Sequence, residues 1–235
     1  MKSHRRLLFV LGAAAMAAAC GETRPGETGD GVAVACTKCH GGVDNATGAP
    51  PRSTGNGTAT TTVGVGAHTA HVQAGSLGVA YGCEECHVTP TTVDVPGHID
   101  GVAEVVFLPG SRARSQGASP VWSRASASCS GDYCHGATLR GGSNTVPVWT
   151  RVGQGQASCG TCHGLPPPTG KHSEHVDGLV FDCDACHAGY LAGAVREVNR
   201  ALHIDGAFDV SLPATVWSPV TGTCAAYCHG SRAWR

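Results

Sequence analysis

Twelve of the thirteen cysteines fall into six pairs, and a histidine directly follows every pair. Four pairs enclose two residues: Cys36 and Cys39 before His40, Cys83 and Cys86 before His87, Cys159 and Cys162 before His163, Cys183 and Cys186 before His187. Two are wider: Cys129 and Cys134 enclose four residues before His135, and Cys224 and Cys228 enclose three before His229. C-x-x-C-H is the attachment pattern of c-type haem. Its two thiols add across the vinyl groups, and the adjoining imidazole is held under the iron. Zinc sites also use C-x-x-C, but zinc does not need the histidine to come next, and here it does so six times. A disulfide scaffold would ignore histidine, and a thiol redox site needs one pair rather than six. The expected cofactors are six covalent haem c groups with their iron.

The remaining histidines extend the pattern to the far side of each iron. His4 lies in a leader described below and six histidines adjoin the cysteine pairs, which leaves His68, His71, His98, His172, His175 and His203. The only methionines, Met1 and Met16, lie in the same leader, so none remains to serve as an axial ligand. Six spare histidines for six irons predict bis-histidine ligation throughout. His68/His71 and His172/His175 are spaced i,i+3, so on a helical turn both rings leave one side and address two neighbouring irons.

The chain also runs twice through one plan. The motif at 36–40, His68-x-x-His71, the motif at 83–87, His98-Ile-Asp-Gly, Val-Trp122-Ser and the motif at 129–135 come first. The motif at 159–163, His172-x-x-His175, the motif at 183–187, His203-Ile-Asp-Gly, Val-Trp217-Ser and the motif at 224–229 repeat them in order. Tryptophan precedes cysteine by seven positions in both copies. The expected organisation is a leader over 1–19, a tether over 20–35, a first trihaem module over 36–136, a linker over 137–158 and a second trihaem module over 159–235. The copies differ in their connections: 28 positions separate His40 from His68, against 9 from His163 to His172. The Gly/Thr/Asn/Pro-rich stretch 43–66 reads as a mobile surface loop. Alternation at Val102, Glu104 and Val106, and at Phe208, Val210 and Leu212, suggests short strands. Residues 190–201 suggest a short helix, and Asp100 and Asp205 read as turn formers.

Composition says what must fill the interior. Hydrophobic residues are 41% of the chain, yet there are only four each of Phe, Tyr and Trp, and 34 Gly with 13 Pro make up a fifth of it. Residues 20–235 allow about 36 residues per haem, too few to fold without the porphyrins as core and the thioethers as staples. The fold class expected is therefore mostly irregular and coil-rich, with short α-helices and a few short strands organised around covalent haems. With 14% charged residues and a net charge of −1, binding to nucleic acid through bulk positive charge is excluded.

The leader is a positive stretch, Lys2, Arg5 and Arg6, followed by an apolar run over 7–19 that is too short to span a bilayer. The chain is expected to be exported. Cys20, the one unpaired cysteine, follows three alanines as at a bacterial lipoprotein processing site, so lipidation is expected there. Loss of the three basic leader residues takes the net charge from −1 to −4.

These motifs resemble the multihaem c-type cytochromes with alternating CxxxxCH and CxxCH motifs, frequent in metal-reducing bacteria. The resemblance covers residues 36–230 and departs at Cys224, where three residues intervene rather than four. The His-x-x-His element is similar to the ligand pair that serves two haems in small class III cytochromes. The resemblance implies electron transfer across the periplasm, through outer-membrane conduits or at the cell surface. Expected partners are other cytochromes or redox proteins as donor and acceptor, presenting a basic face to the haem propionates. The membrane would be met through the lipid, on the periplasmic side or the surface of the outer membrane. Catalysis is not expected, because spare histidines equal haems. A reductase with one open haem and a subunit of an extracellular cytochrome filament are the alternatives.

Overall fold

Glycine or proline at one position in five favours short elements, and among the described residues only short elements form. The computed structural model describes residue 53, residues 57–192 and residues 197–234. Cys20, Cys36, Cys39 and His40, with the leader and tether, lie outside them. Among the described residues there is one α-helix, α1 (His68–Val72), a little over one turn long. Three 3₁₀ turns span Cys83–Glu85, Arg112–Gly117 and Cys183–Ala185, and a π-turn spans Glu174–Gly178. Seven short strands, β1 (Val121–Ser123), β2 (Ser128–Ser130), β3 (Leu191–Ala192), β4 (Glu197–Val198), β5 (Trp217–Ser218), β6 (Thr223–Ala226) and β7 (Gly230–Ala233), pair antiparallel as β1–β2, β3–β4 and β5–β6–β7. The protein is coil-rich, with few short helices and strands.

The seven-residue spacing from Trp to Cys is a hairpin. Trp122 pairs with Cys129 across β1–β2, and Trp217 pairs with Cys224 across β5–β6. Both hairpins turn through a left-handed residue at the same place, Ala127 (φ 46°) and Gly222 (φ 60°). The carbonyl there accepts from a third segment: Trp149 N–H to Ala127 O at 2.6 Å, Trp234 N–H to Gly222 O at 2.8 Å. In the second repeat that segment is the strand β7; in the first it is reduced to a single bridge between Val148 and Ser128.

Three local expectations are corrected. The described residues of 190–201 form no helix: Leu191 pairs with Val198 across β3–β4, and Asn199 N–H donates to Tyr190 O at 2.7 Å. The alternating stretches at 102–106 and 208–212 are extended but join no sheet. Each gives one N–H to a motif backbone (Val106 to Cys86 O, Ser211 to Cys186 O) and one carbonyl to an imidazole, so no ladder can propagate. The stretch read as a mobile loop ends in packed structure, with Val65 only 3% exposed and Val63 O accepting from Trp149 Nε1 at 2.9 Å. Asp100 and Asp205 are turn formers as expected, each accepting the N–H two residues on, at 2.9 Å.

The buried apolar residues are Val65, Ala113, Ala118, Ala127, Tyr133 and Cys224, a set with a single ring. Larger apolar side chains such as Val88, Leu179, Val180 and Phe181 remain exposed. The described residues belong to one compact unit, and the second repeat docks its 203–207 loop onto the first. Arg112 donates to Ile204 O at 3.0 Å, Gln116 to Gly206 O at 2.8 Å, and the Tyr133 hydroxyl to Ala207 O at 3.4 Å. Residues 137–158, expected as a linker, are packed between motifs. Ser143 N–H reaches Gly160 O at 3.1 Å, and Asn144 N–H reaches Thr161 O at 2.9 Å.

Candidate haem-binding sites

The C-x-x-C-H sequence folds into one tight turn. In the motif at 83–87, Cys86 N–H and His87 N–H both donate to Cys83 O, at 3.2 and 2.9 Å; the motif at 183–187 repeats both bonds at the same distances. The turn sets cysteine, cysteine and histidine along one short stretch, as attachment at two vinyl groups and one iron requires. The first cysteine of each of these turns is exposed and the second is half-buried. Burial pushes the thiol of Cys86 up to about 11 and that of Cys129 up to about 12. Burial likewise raises Cys134. Such positions suit an uncharged sulfur such as a thioether better than the thiolate a zinc site needs.

Across from the motif histidines stand the spare ones, ring facing ring. His68 faces His87 at 6.3 Å between ring centres, His71 faces His135 at 6.1 Å, and His163 faces His203 at 6.3 Å. His172 faces His187 at 6.3 Å and His175 faces His229 at 6.1 Å. An imidazole nitrogen sits about 2 Å from a bound metal and about 1.1 Å from its own ring centre, so two rings on opposite sides of one iron have centres about 6.2 Å apart. All five described pairs match that spacing, and each joins one motif histidine to one spare histidine. Among the described residues, no three or more His, Cys, Asp or Glu side chains gather to hold a metal ion themselves. Paired imidazoles with four positions left between them fit iron in a porphyrin.

The second ring nitrogen says which atom faces the gap. In ten of the eleven described histidines, Nδ1 lies 2.5–2.9 Å from a backbone carbonyl. A carbonyl only accepts, so Nδ1 carries the proton and Nε2 keeps its lone pair for a metal. The donors include His87 to Glu104 O and His187 to Asp209 O, which is the use found for the two extended stretches. His98, whose motif counterpart His40 lies outside the described residues, bonds Val93 O at 2.9 Å. His135 is the exception: its buried Nδ1 meets no acceptor among the described residues, and burial lowers its pKa.

The two wider motifs diverge in their extra residue. In 129–135 the chain leaves β2 at Gly131 (φ 68°) and turns in Asp132, 3% exposed, whose Oδ1 accepts His135 N–H at 2.8 Å. The motif at 224–229 lacks that residue, and β6 runs on to Ala226. Tyr133 is therefore buried against the other repeat, whereas its counterpart Tyr227 is fully exposed.

Two residues went unnoticed in the sequence. Trp149 and Trp234 pack on the His-x-x-His rings of the first and second repeats. The available signal was arithmetic: once Trp122 and Trp217 are placed, one tryptophan remains per repeat, after Cys129 and after Cys224.

The family model described as the Geobacter CxxxxCH...CXXCH motif matches residues 128–163, from the start of β2 through His163. It takes in the motif at 129–135, the packed segment after it and the motif at 159–163. The match supports membership of a multihaem c-type cytochrome family. It supports covalently bound haem c with iron and a role in electron transfer with redox partners. No curated protein and no solved structure matches the chain.

Proposed function

We propose that this protein is a hexahaem cytochrome that passes electrons along a row of bis-histidine haems in the cell envelope and carries out no catalysis of its own. The observation that carries the reading is the set of five facing imidazole pairs at 6.1–6.3 Å, each with one ring from a cysteine motif. The repeat supplies the sixth pair: His203 faces His163, so His98 takes His40. Haem supplies reversible one-electron chemistry at the iron. The cysteine pairs would attach it and the paired histidines would bind its iron and keep exogenous ligands out, while backbone carbonyls on Nδ1 hold the imidazoles in place, which raises their basicity and favours low potentials. His-x-x-His places two sites one helical turn apart, close enough for a continuous electron path.

In this reading the leader directs export and Cys20 carries the lipid that holds the protein at the outer membrane, with redox proteins of basic docking face as donor and acceptor. Intact mass of the native protein tests it. The expected mass corresponds to a chain starting at Cys20 with diacylglyceryl and six haems. Four haems would mean that the wider motifs are not used. A chain without lipid removes the anchor, and strong carbon monoxide binding by the reduced protein would mean an open iron and favour a reductase.

A further inference from the structure

Each repeat sets one indole against both rings of its His-x-x-His pair. Trp149 meets His68 edge-on, with centres 4.8 Å apart and planes at 87°, and lies tilted against His71 at 5.4 Å and 32°. Trp234 meets His172 at 5.3 Å and 88°, and His175 at 5.2 Å and 33°. The angles coincide although the two indoles arrive by different routes, Trp149 from a long coil after Cys129 and Trp234 from the end of the β5–β6–β7 sheet. Each is backed by the hairpin tryptophan of its repeat, Trp122 at 6.2 Å and Trp217 at 6.1 Å, both nearly perpendicular. Each also depends on a left-handed glycine just before its histidine pair. A Cβ on Gly66 (φ 41°) or Gly170 (φ 59°) would overlap the indole.

We propose that Trp149 and Trp234 are positioning residues that fix the planes of neighbouring axial imidazoles. Of the two ligand pairs built on each His-x-x-His element, one is thereby held with near-parallel rings and the other with crossed rings. The proposal rests on the bis-histidine reading above. The Nδ1 bond to a backbone carbonyl anchors one edge of each imidazole. An indole edge on one ring and an indole face on the next add a second contact that favours one plane, in directions the aromatic quadrupoles favour. The ligand pairs follow suit: His68/His87 and His172/His187 lie at 21° and 14°, whereas His71/His135 and His175/His229 lie at 64° and 72°.

Ring orientation has a signature at the iron. Parallel axial rings act on one iron orbital of the π set and split it from its partner, giving a resolved rhombic EPR spectrum when the iron is oxidised and low-spin. Crossed rings act on both orbitals, leave them nearly degenerate and give a single feature at low field.

The test is EPR of the oxidised, fully loaded protein, with haem content checked by mass. The native protein should show both kinds of signal, the rhombic kind amounting to two haems or more. Trp149→Ala should displace one haem's worth of rhombic signal, Trp234→Ala another, and the double variant both. All variants should remain low-spin, without carbon monoxide binding. Unchanged spectra in both single variants overturn the proposal and leave the ligation reading intact. High-spin iron in the native protein overturns the ligation reading instead. Should an alanine variant lose haem, leucine at the same position fills the space without a flat face. A displaced rhombic signal in that variant supports the proposal. A native spectrum, or renewed haem loss, overturns it.

Discussion

His98 and His203 stand in the same motif at the same place in the two repeats, and they are held differently. His98 gives its Nδ1 proton to Val93 O, five residues back, and the Ile99 that follows is 77% exposed. His203 gives its proton to Leu77 O at 2.6 Å, in the other repeat. The next residue, Ile204, is forced to a φ of 61°, which costs a β-branched side chain about 1–2 kcal/mol. Arg112 on the Ile204 carbonyl and Gln116 on that of Gly206 hold the loop there. Duplication copied the ligand, but the first repeat now orients the second repeat's copy. At this site the second repeat is not self-contained.

The most drastic way to break the comparison is to remove what both repeats share. Produced without the haem-attachment machinery, the chain should give no cooperative melt and should be digested rapidly, because the six buried apolar residues among the described ones are too few to hold either repeat. A cooperatively melting haem-free protein in circular dichroism would contradict this. Next in size are the ligands themselves. His98→Ala and His203→Ala should each open one iron, seen as one haem's worth of high-spin signal and new carbon monoxide binding on reduction. The double variant should open two, since separated sites add. Native spin states in both variants would make these histidines structural.

Arg112→Ala separates the two sites. Losing a charged hydrogen bond to a carbonyl costs about 1.5–3 kcal/mol, and of the two loops that follow His98 and His203 it falls on the second, although the guanidinium also lies over the Tyr81 ring. Partial carbon monoxide binding should appear, and it should be absent in Arg112→Ala combined with a carbon monoxide-saturated His203→Ala background beyond the one haem already open. Equal opening at His98 would show that the repeats are not held independently.

What was legible in the sequence was what chemistry forces to be contiguous. Thioether attachment and proximal ligation need cysteine, cysteine and histidine within a few residues, so the described motifs could be read directly, and counting supplied the spare histidines. Contacts made through space were not legible. Trp149 lies in a stretch that reads as a linker, yet it reaches His68 and His71 because the chain returns to Ala127. The alternation at 102–106 looked like a strand because an extended chain is needed there, but its Glu104 carbonyl serves an imidazole rather than a neighbouring strand. Asn199, with bonds to Tyr190 and Gly189, adjoins a strand pair where a helix was expected, and neither bond has a helical spacing.

The smallest effect concerns another place where the described repeats hold equivalent ligands differently. His229 donates Nδ1 to Gly230 O at 2.7 Å, whereas the buried Nδ1 of His135 finds no acceptor among the described residues. An imidazole that gives its proton to a carbonyl is a stronger base toward iron and stabilises the oxidised metal more than the reduced. The iron between His71 and His135 should therefore have the higher midpoint potential. The deeper burial of the His135 turn works in the same direction, because a buried site disfavours the more highly charged oxidised centre. Spectropotentiometry can assign the two components by which one disappears from the low-spin titration in His71→Ala and which in His175→Ala. If the component lost with His175 titrates higher instead, the missing hydrogen bond does not set the order of the two potentials, and the prediction fails.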